Sequence, residues 1–113
     1  MKLEKGQPLY SATDLLNFLG CSHAATLDIG AMSGAVEIPP KPDDGYLQIL
    51  KEKGLNHETA YLEALKSEGR SVVEIARADA IEEMAEKTRQ AMRDGVDVIY
   101  QGALTAPMWH GYS

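Results

Sequence analysis

Gly54, His57 and Glu58 share one stretch of the chain, and their types and spacing could do chemistry. A histidine and a carboxylate side by side can hold a metal ion or tune a proton. The glycine costs a helix about 1 kcal/mol relative to alanine, and its missing side chain would let another strand or a nucleic-acid backbone come close. A plainer role is equally open to His57. A histidine on an apolar helix face is more often buried and bonded to a backbone carbonyl, because a ligand site needs several converging groups.

These residues must be positioned by one long helix, from about Tyr46 to Ser67, with Asp43 and Asp44 available to cap its start and Gly69 its end. Steps of three and four place Tyr46, Leu50, Gly54, His57, Tyr61 and Leu65 on one face. That face is predicted to point inward, toward a strand containing Ile99 and Gln101. Upstream, residues 1–10 read as a lead-in, and Ser11-Ala12-Thr13-Asp14 as a helix start. The helix carries Leu15, Leu16, Phe18 and Leu19 and breaks or kinks at Gly20-Cys21-Ser22. A second helix covers His23 to about Met32, with Ala24, Leu27 and Ala31 on one face. The proline-rich segment 33–44 is a loop.

Downstream, Ser71 to Ile75 has the β-branched content of a short strand. Asp79 opens an amphipathic helix with Ile81, Met84, Ala85, Thr88, Ala91 and Met92 inward and Glu82, Glu83 and Glu86 in water. Gly95 ends it. Val96 to Leu104 reads as one strand, Thr105-Ala106-Pro107 as a turn, and Met108 to Ser113 as a return strand. The expected fold class is α+β, mostly helical, with the long central helix packed on a small sheet or β-hairpin.

The chain has 113 residues, is 44% hydrophobic and carries a formal charge of −6, which predicts one domain with an ordinary core. No apolar run approaches the roughly 18 residues of a membrane span. No apolar signal core follows Met1-Lys2-Leu3-Glu4-Lys5-Gly6, so a cytoplasmic location is expected. Cys21 is the single cysteine, which excludes an intrachain disulfide; a buried structural thiol is the expected role. Basic residues are scattered among acidic ones, an arrangement poorly suited to binding phosphates unaided. Trp109 and Tyr112 are therefore expected to pack rather than stack on bases. The chain has no Gly-rich phosphate loop, no Gly-x-Ser-x-Gly, no Cys-x-x-Cys and no His-Glu-x-x-His.

The order of pieces nevertheless resembles the N-terminal portion of RecB-like nucleases of the PD-(D/E)XK superfamily, most of all the module often fused to a helicase. Tyr10-Ser11-Ala12-Thr13-Asp14-Leu15 leading to Leu19-Gly20-Cys21 is similar to their opening. Gly54-Leu55-Asn56-His57-Glu58 is similar to their Gly-x-x-His-(Glu) helix. Thr88 to Met92 and Gly95 to Leu104 are similar to their helix and first core strand. Trp109 to Ser113 is similar to the lead into the strand bearing the motif aspartate.

The resemblance implies a nuclease acting on DNA with Mg2+ or Mn2+, through metal-assisted phosphodiester hydrolysis. His57 would be a metal ligand, with Glu58 a further candidate. Cys21 lies where some members place the first of four cysteines around an iron–sulfur cluster. The expected aspartate would follow Ser113, and a Glu-x-Lys motif and a Gln-x-x-x-Tyr helix would come later. Residues 1–113 are thus expected to be an incomplete core, inactive alone, with an unfinished sheet edge that joins copies into a homo-oligomer near residues 96–113. Two rival expectations are a non-catalytic assembly module docking through that edge, and an unrelated small-molecule enzyme using His57 and Glu58.

Overall fold

The computed structural model describes residues 1–112, so the expected strand end at Ser113 lies outside the described residues. The fold is α+β and about half helical, with four helices and small two-stranded sheets. No helix among the described residues is long and apolar enough to cross a membrane.

The lead-in is itself a hairpin. Strands β1 (Lys2–Glu4) and β2 (Gln7–Leu9) pair antiparallel around Lys5 and Gly6, both at positive φ. Ser11 then caps α1 (Ala12–Gly20) through a full capping box: its hydroxyl accepts from Asp14 N, and Asp14 accepts from Ser11 N at 2.7 Å. Cys21 is extended, with φ −159° and ψ 104°, which ends α1 and starts α2 (Ser22–Met32). The two helices pack on each other, and Ala25 is buried.

After the loop, Asp44 caps α3 (Gly45–Ser67) by accepting from Tyr46 N and Leu47 N. Gly69, at φ +81°, lies just beyond its end. The boundaries match expectation, but the packing does not. Tyr46 is 69% exposed, Leu50 47% and Tyr61 63%, and Leu62 is the helix's one buried residue. The long helix is not the central element, and its predicted inward face is in solvent except at Leu65, which is half-buried. Helical periodicity marks an apolar stripe; it does not say whether anything in the same chain covers it.

The helix that does pack on the sheets is α4 (Ile81–Arg93). It crosses between β3 (Val72–Glu74) and β4 (Val98–Tyr100), which pair in parallel with Val73 opposite Ile99. Five of its predicted inward residues, Ile81, Met84, Ala85, Thr88 and Ala91, are buried, whereas Met92 is 55% exposed. Ile75, Ile81, Met84 and Ala103 form the core, with Leu9, Val73, Ala78 and Ile99 against it.

The strand expected over residues 96–104 is broken. Gln101 takes φ +59°, a left-handed conformation unusual for a residue with a side chain, so the chain leaves β3 and turns into a second sheet. Strand β5 (Ala103–Ala106) pairs antiparallel with β6 (Trp109–Tyr112). The turn is therefore Pro107-Met108, not Thr105-Ala106-Pro107, with Met108 at φ +68°. Thr88 locks α4 to this hairpin: its buried hydroxyl donates to Met84 O at 2.8 Å and accepts from Ala103 N at 2.9 Å.

Candidate functional site

The stretch bearing His57 and Glu58 meets the rest of the chain at a narrow contact. The Tyr100 hydroxyl on β4 donates to Glu58 Oε2 at 2.8 Å. One turn on, Leu62 is buried, and Lys66 Nζ lies 3.6 Å from Glu74 Oε2 on β3. The face of α3 turned to the sheet is thus that of Glu58, Leu62 and Lys66. Successive helical residues lie about 100° apart, which puts His57 about 140° round the helix from the middle of this face; it points away from the sheet and is exposed. The expectation that His57 points inward toward Ile99 and Gln101 is corrected: its neighbour Glu58 makes the contact instead.

This arrangement orients one carboxylate and leaves one imidazole free in water. Adjacent residues on a helix diverge too far to chelate one ion together. Among the described residues, no group of three or more His, Cys, Asp or Glu is placed to hold a metal. A Mg2+ site demands near-octahedral oxygen coordination, which one exposed imidazole and one carboxylate bonded to Tyr100 do not supply by themselves. Cys21 sits exposed at the α1–α2 junction. The expectation of a buried thiol fails because the extended break puts this residue outside both helices.

Around the hairpin lies a second set of polar and aromatic groups, of which sequence reasoning singled out Tyr112 but not Arg77 or His110. Arg77 donates to Gln101 Oε1 at 3.3 Å, and its guanidinium carbon stands 4.3 Å from the centroid of the Tyr112 ring. The Tyr112 ring meets His110 edge-on at 5.5 Å. His110 is held to the N-terminal hairpin through its backbone: His110 N donates to Tyr10 O, and Tyr10 N to Met108 O, each at 2.8 Å. Among the described residues its Nδ1 is buried without a hydrogen-bond partner; Glu4 Oε2 likewise accepts no hydrogen bond, although Lys2 Nζ stands 3.6 Å from it. Burial pushes the imidazole pKa down, and the nearby positive charges of Lys2 and the Met1 ammonium push the same way, against Asp14 and Glu4.

Asp14 is bonded more fully. Burial alone would raise its pKa. The Met1 ammonium at 2.9 Å, the Ser11 hydroxyl and the Ser11 N–H outweigh that effect and hold the carboxyl at about 2. Beside it, Tyr10, Leu15, Phe18, Ala25, Ile29 and Trp109 line an apolar cavity of about 240 Å³. The Tyr10 and Trp109 rings are 5.7 Å apart across its rim. The expectation that Trp109 and Tyr112 pack into the core is corrected: Trp109 is 42% and Tyr112 45% exposed, and neither joins the core.

No protein-family model, curated protein or solved structure matches the chain.

Proposed function

We propose that this chain is the N-terminal portion of a divalent-metal-dependent DNA nuclease of the RecB-like class, inactive as residues 1–113. The observation that carries this reading is the Tyr100–Glu58 bond. It ties Glu58, the last residue of the Gly54-Leu55-Asn56-His57-Glu58 segment, to β4, the strand that leads into the β5–β6 hairpin. In this reading His57 is one ligand for Mg2+ or Mn2+, and the carboxylates come from residues beyond Ser113. The exposed thiol of Cys21 is accessible to an iron–sulfur cluster completed by later cysteines. DNA is the substrate, and a fused or associated helicase the partner.

The test is to read and express the residues encoded after Ser113. The proposal expects an aspartate there and a Glu-x-Lys motif roughly ten to twenty residues on. It also expects Mg2+- or Mn2+-dependent DNA cleavage that His57→Ala abolishes. A reading frame without those motifs, or cleavage indifferent to His57, rejects it.

A second reading, a non-catalytic assembly module, is favoured by the exposure of Leu104, Met108, Trp109 and Tyr112 on the β5–β6 hairpin. Pairing of copies near residues 96–113 would cover them, although Tyr10 already bonds to part of β6. Slow amide exchange along β5 and β6 only at concentrations where the chain associates would support it.

A further inference from the structure

The most prominent unpartnered feature of the molecule is α3. Its 23 residues span about 35 Å, and they pack extensively on no other element. The radius of gyration is 17.3 Å, against about 13 Å for a compact chain of this length. From Gly45 to His57 every residue of α3 is exposed. Among the described residues, the bond and the ion pair that tie α3 to the sheet come from its second half, from Glu58 and Lys66, where Leu62 is buried.

The exposed stripe has the spacing of a coiled-coil seam. Leu47, Leu50, Gly54, His57, Tyr61 and Ala64 recur at alternating steps of three and four, and all six are exposed. The seam is also symmetric about the midpoint between Leu55 and Asn56. Laid antiparallel on a second copy, it sets Leu47 against the partner's Ala64, Leu50 against the partner's Tyr61, and Gly54 against the partner's His57. Each pairing then recurs through the two-fold axis. The groove over Gly54 is open, since a Cβ built there meets nothing within 4 Å. An imidazole can therefore enter it at the centre of the pairing.

Charge follows the same symmetry. Lys51 and the partner's Glu58 flank the seam on one side, about two residues apart in height. Within the chain the ion pairs of α3 are made by Lys66, and Lys51 makes none among the described residues. Glu58 accepts from Tyr100 through Oε2, which leaves Oε1 for an ammonium. The residues that tie α3 to its own sheet lie in its second half, so an antiparallel pair carries the two sheet bodies at opposite ends.

We propose that α3 is a dimerisation helix, pairing antiparallel with α3 of a second copy of this chain along the Leu47–Ala64 stripe. The pairing is isologous, the arrangement expected of a two-fold dimer. It does not rest on the nuclease reading, and it competes with that reading for His57, whose imidazole it sets over the partner's Gly54 rather than on a metal ion.

Sedimentation of the chain at micromolar concentration is expected to show a dimer. Leu50→Glu should return it to a monomer with unchanged helical circular dichroism, because Leu50 is exposed in the single chain. Lys51→Glu should weaken dimerisation about tenfold by placing two carboxylates together, and K51E/E58K should restore it. In a Cys21→Ser background, Leu50→Cys with Tyr61→Cys should give a disulfide-linked dimer on oxidation. Within one chain those positions are about 16 Å apart, too far to bridge. A monomer at all concentrations overturns the proposal. So does a dimer that survives Leu50→Glu, which would move the interface to residues 96–113, and so does a double-cysteine variant that stays unlinked.

Discussion

Tyr100 and Glu58, 42 positions apart in sequence, meet at 2.8 Å, and this bond is the main polar tie between α3 and the parallel β3–β4 pair. It is exposed, so water competes for both groups. Tyr100→Phe is expected to cost less than about 1 kcal/mol of global stability. Its larger effect should be local, with faster amide exchange from Glu58 to Ser67 and little change in α4. Equal acceleration in both helices would show that the bond does not set the position of α3.

Thr88 makes the opposite case, because its hydroxyl is buried and bonded on both sides. Thr88→Val keeps the shape but leaves the Ala103 N–H without an acceptor. The expected loss is about 1–3 kcal/mol in urea unfolding. Thr88→Ser, which keeps the hydroxyl, should lose less.

Acid should act on the N-terminal region through Asp14. Its pKa falls from 3.8 unfolded to about 2 folded, so the unfolded chain binds more protons between those values. The stability it supplies is present above pH 3.8 and is lost as pH falls toward 2. At pH 7 Asp14→Asn should cost about 1–2 kcal/mol, and the gap to the unsubstituted chain should close across that window in thermal melts.

His110 should add a second acid-sensitive step at higher pH. Its folded pKa lies below the ordinary 6.5 because burial, Lys2 and the Met1 ammonium disfavour the imidazolium. Stability from this group is intact above 6.5 and declines as pH drops below it. His110→Phe should flatten that part of the profile while leaving the Asp14 step in place.

Residues 1–113 alone should not hydrolyse DNA in Mg2+ or Mn2+, since His57 and Glu58 diverge and no third ligand joins them among the described residues. A plasmid-nicking assay on pure material measures this. Metal-dependent cleavage that disappears in His57→Ala would falsify the expectation.

Local chemistry was legible in the sequence wherever a residue acts on its own neighbours. Ser11 and Asp14 marked the start of α1, Asp44 that of α3, and Gly69 and Gly95 the ends of α3 and α4, because caps and left-handed stops depend on atoms within a few residues. The buried face of α4 was equally legible, since one stripe met one core. Three features depended on distant parts of the chain. The left-handed Gln101 splits the expected strand in two; the neighbouring Gly102 marked the place, but the positive φ falls on Gln101, where no glycine announced it. The exposure of the α3 stripe was hidden because an apolar periodicity is the same whether its partner lies within the chain or outside it. Glu58, rather than His57, faces β4 because a rotation of about 100° about the helix axis separates them. The Tyr100–Glu58 bond, the Lys66–Glu74 ion pair and the burial of Leu62 together fix that rotation.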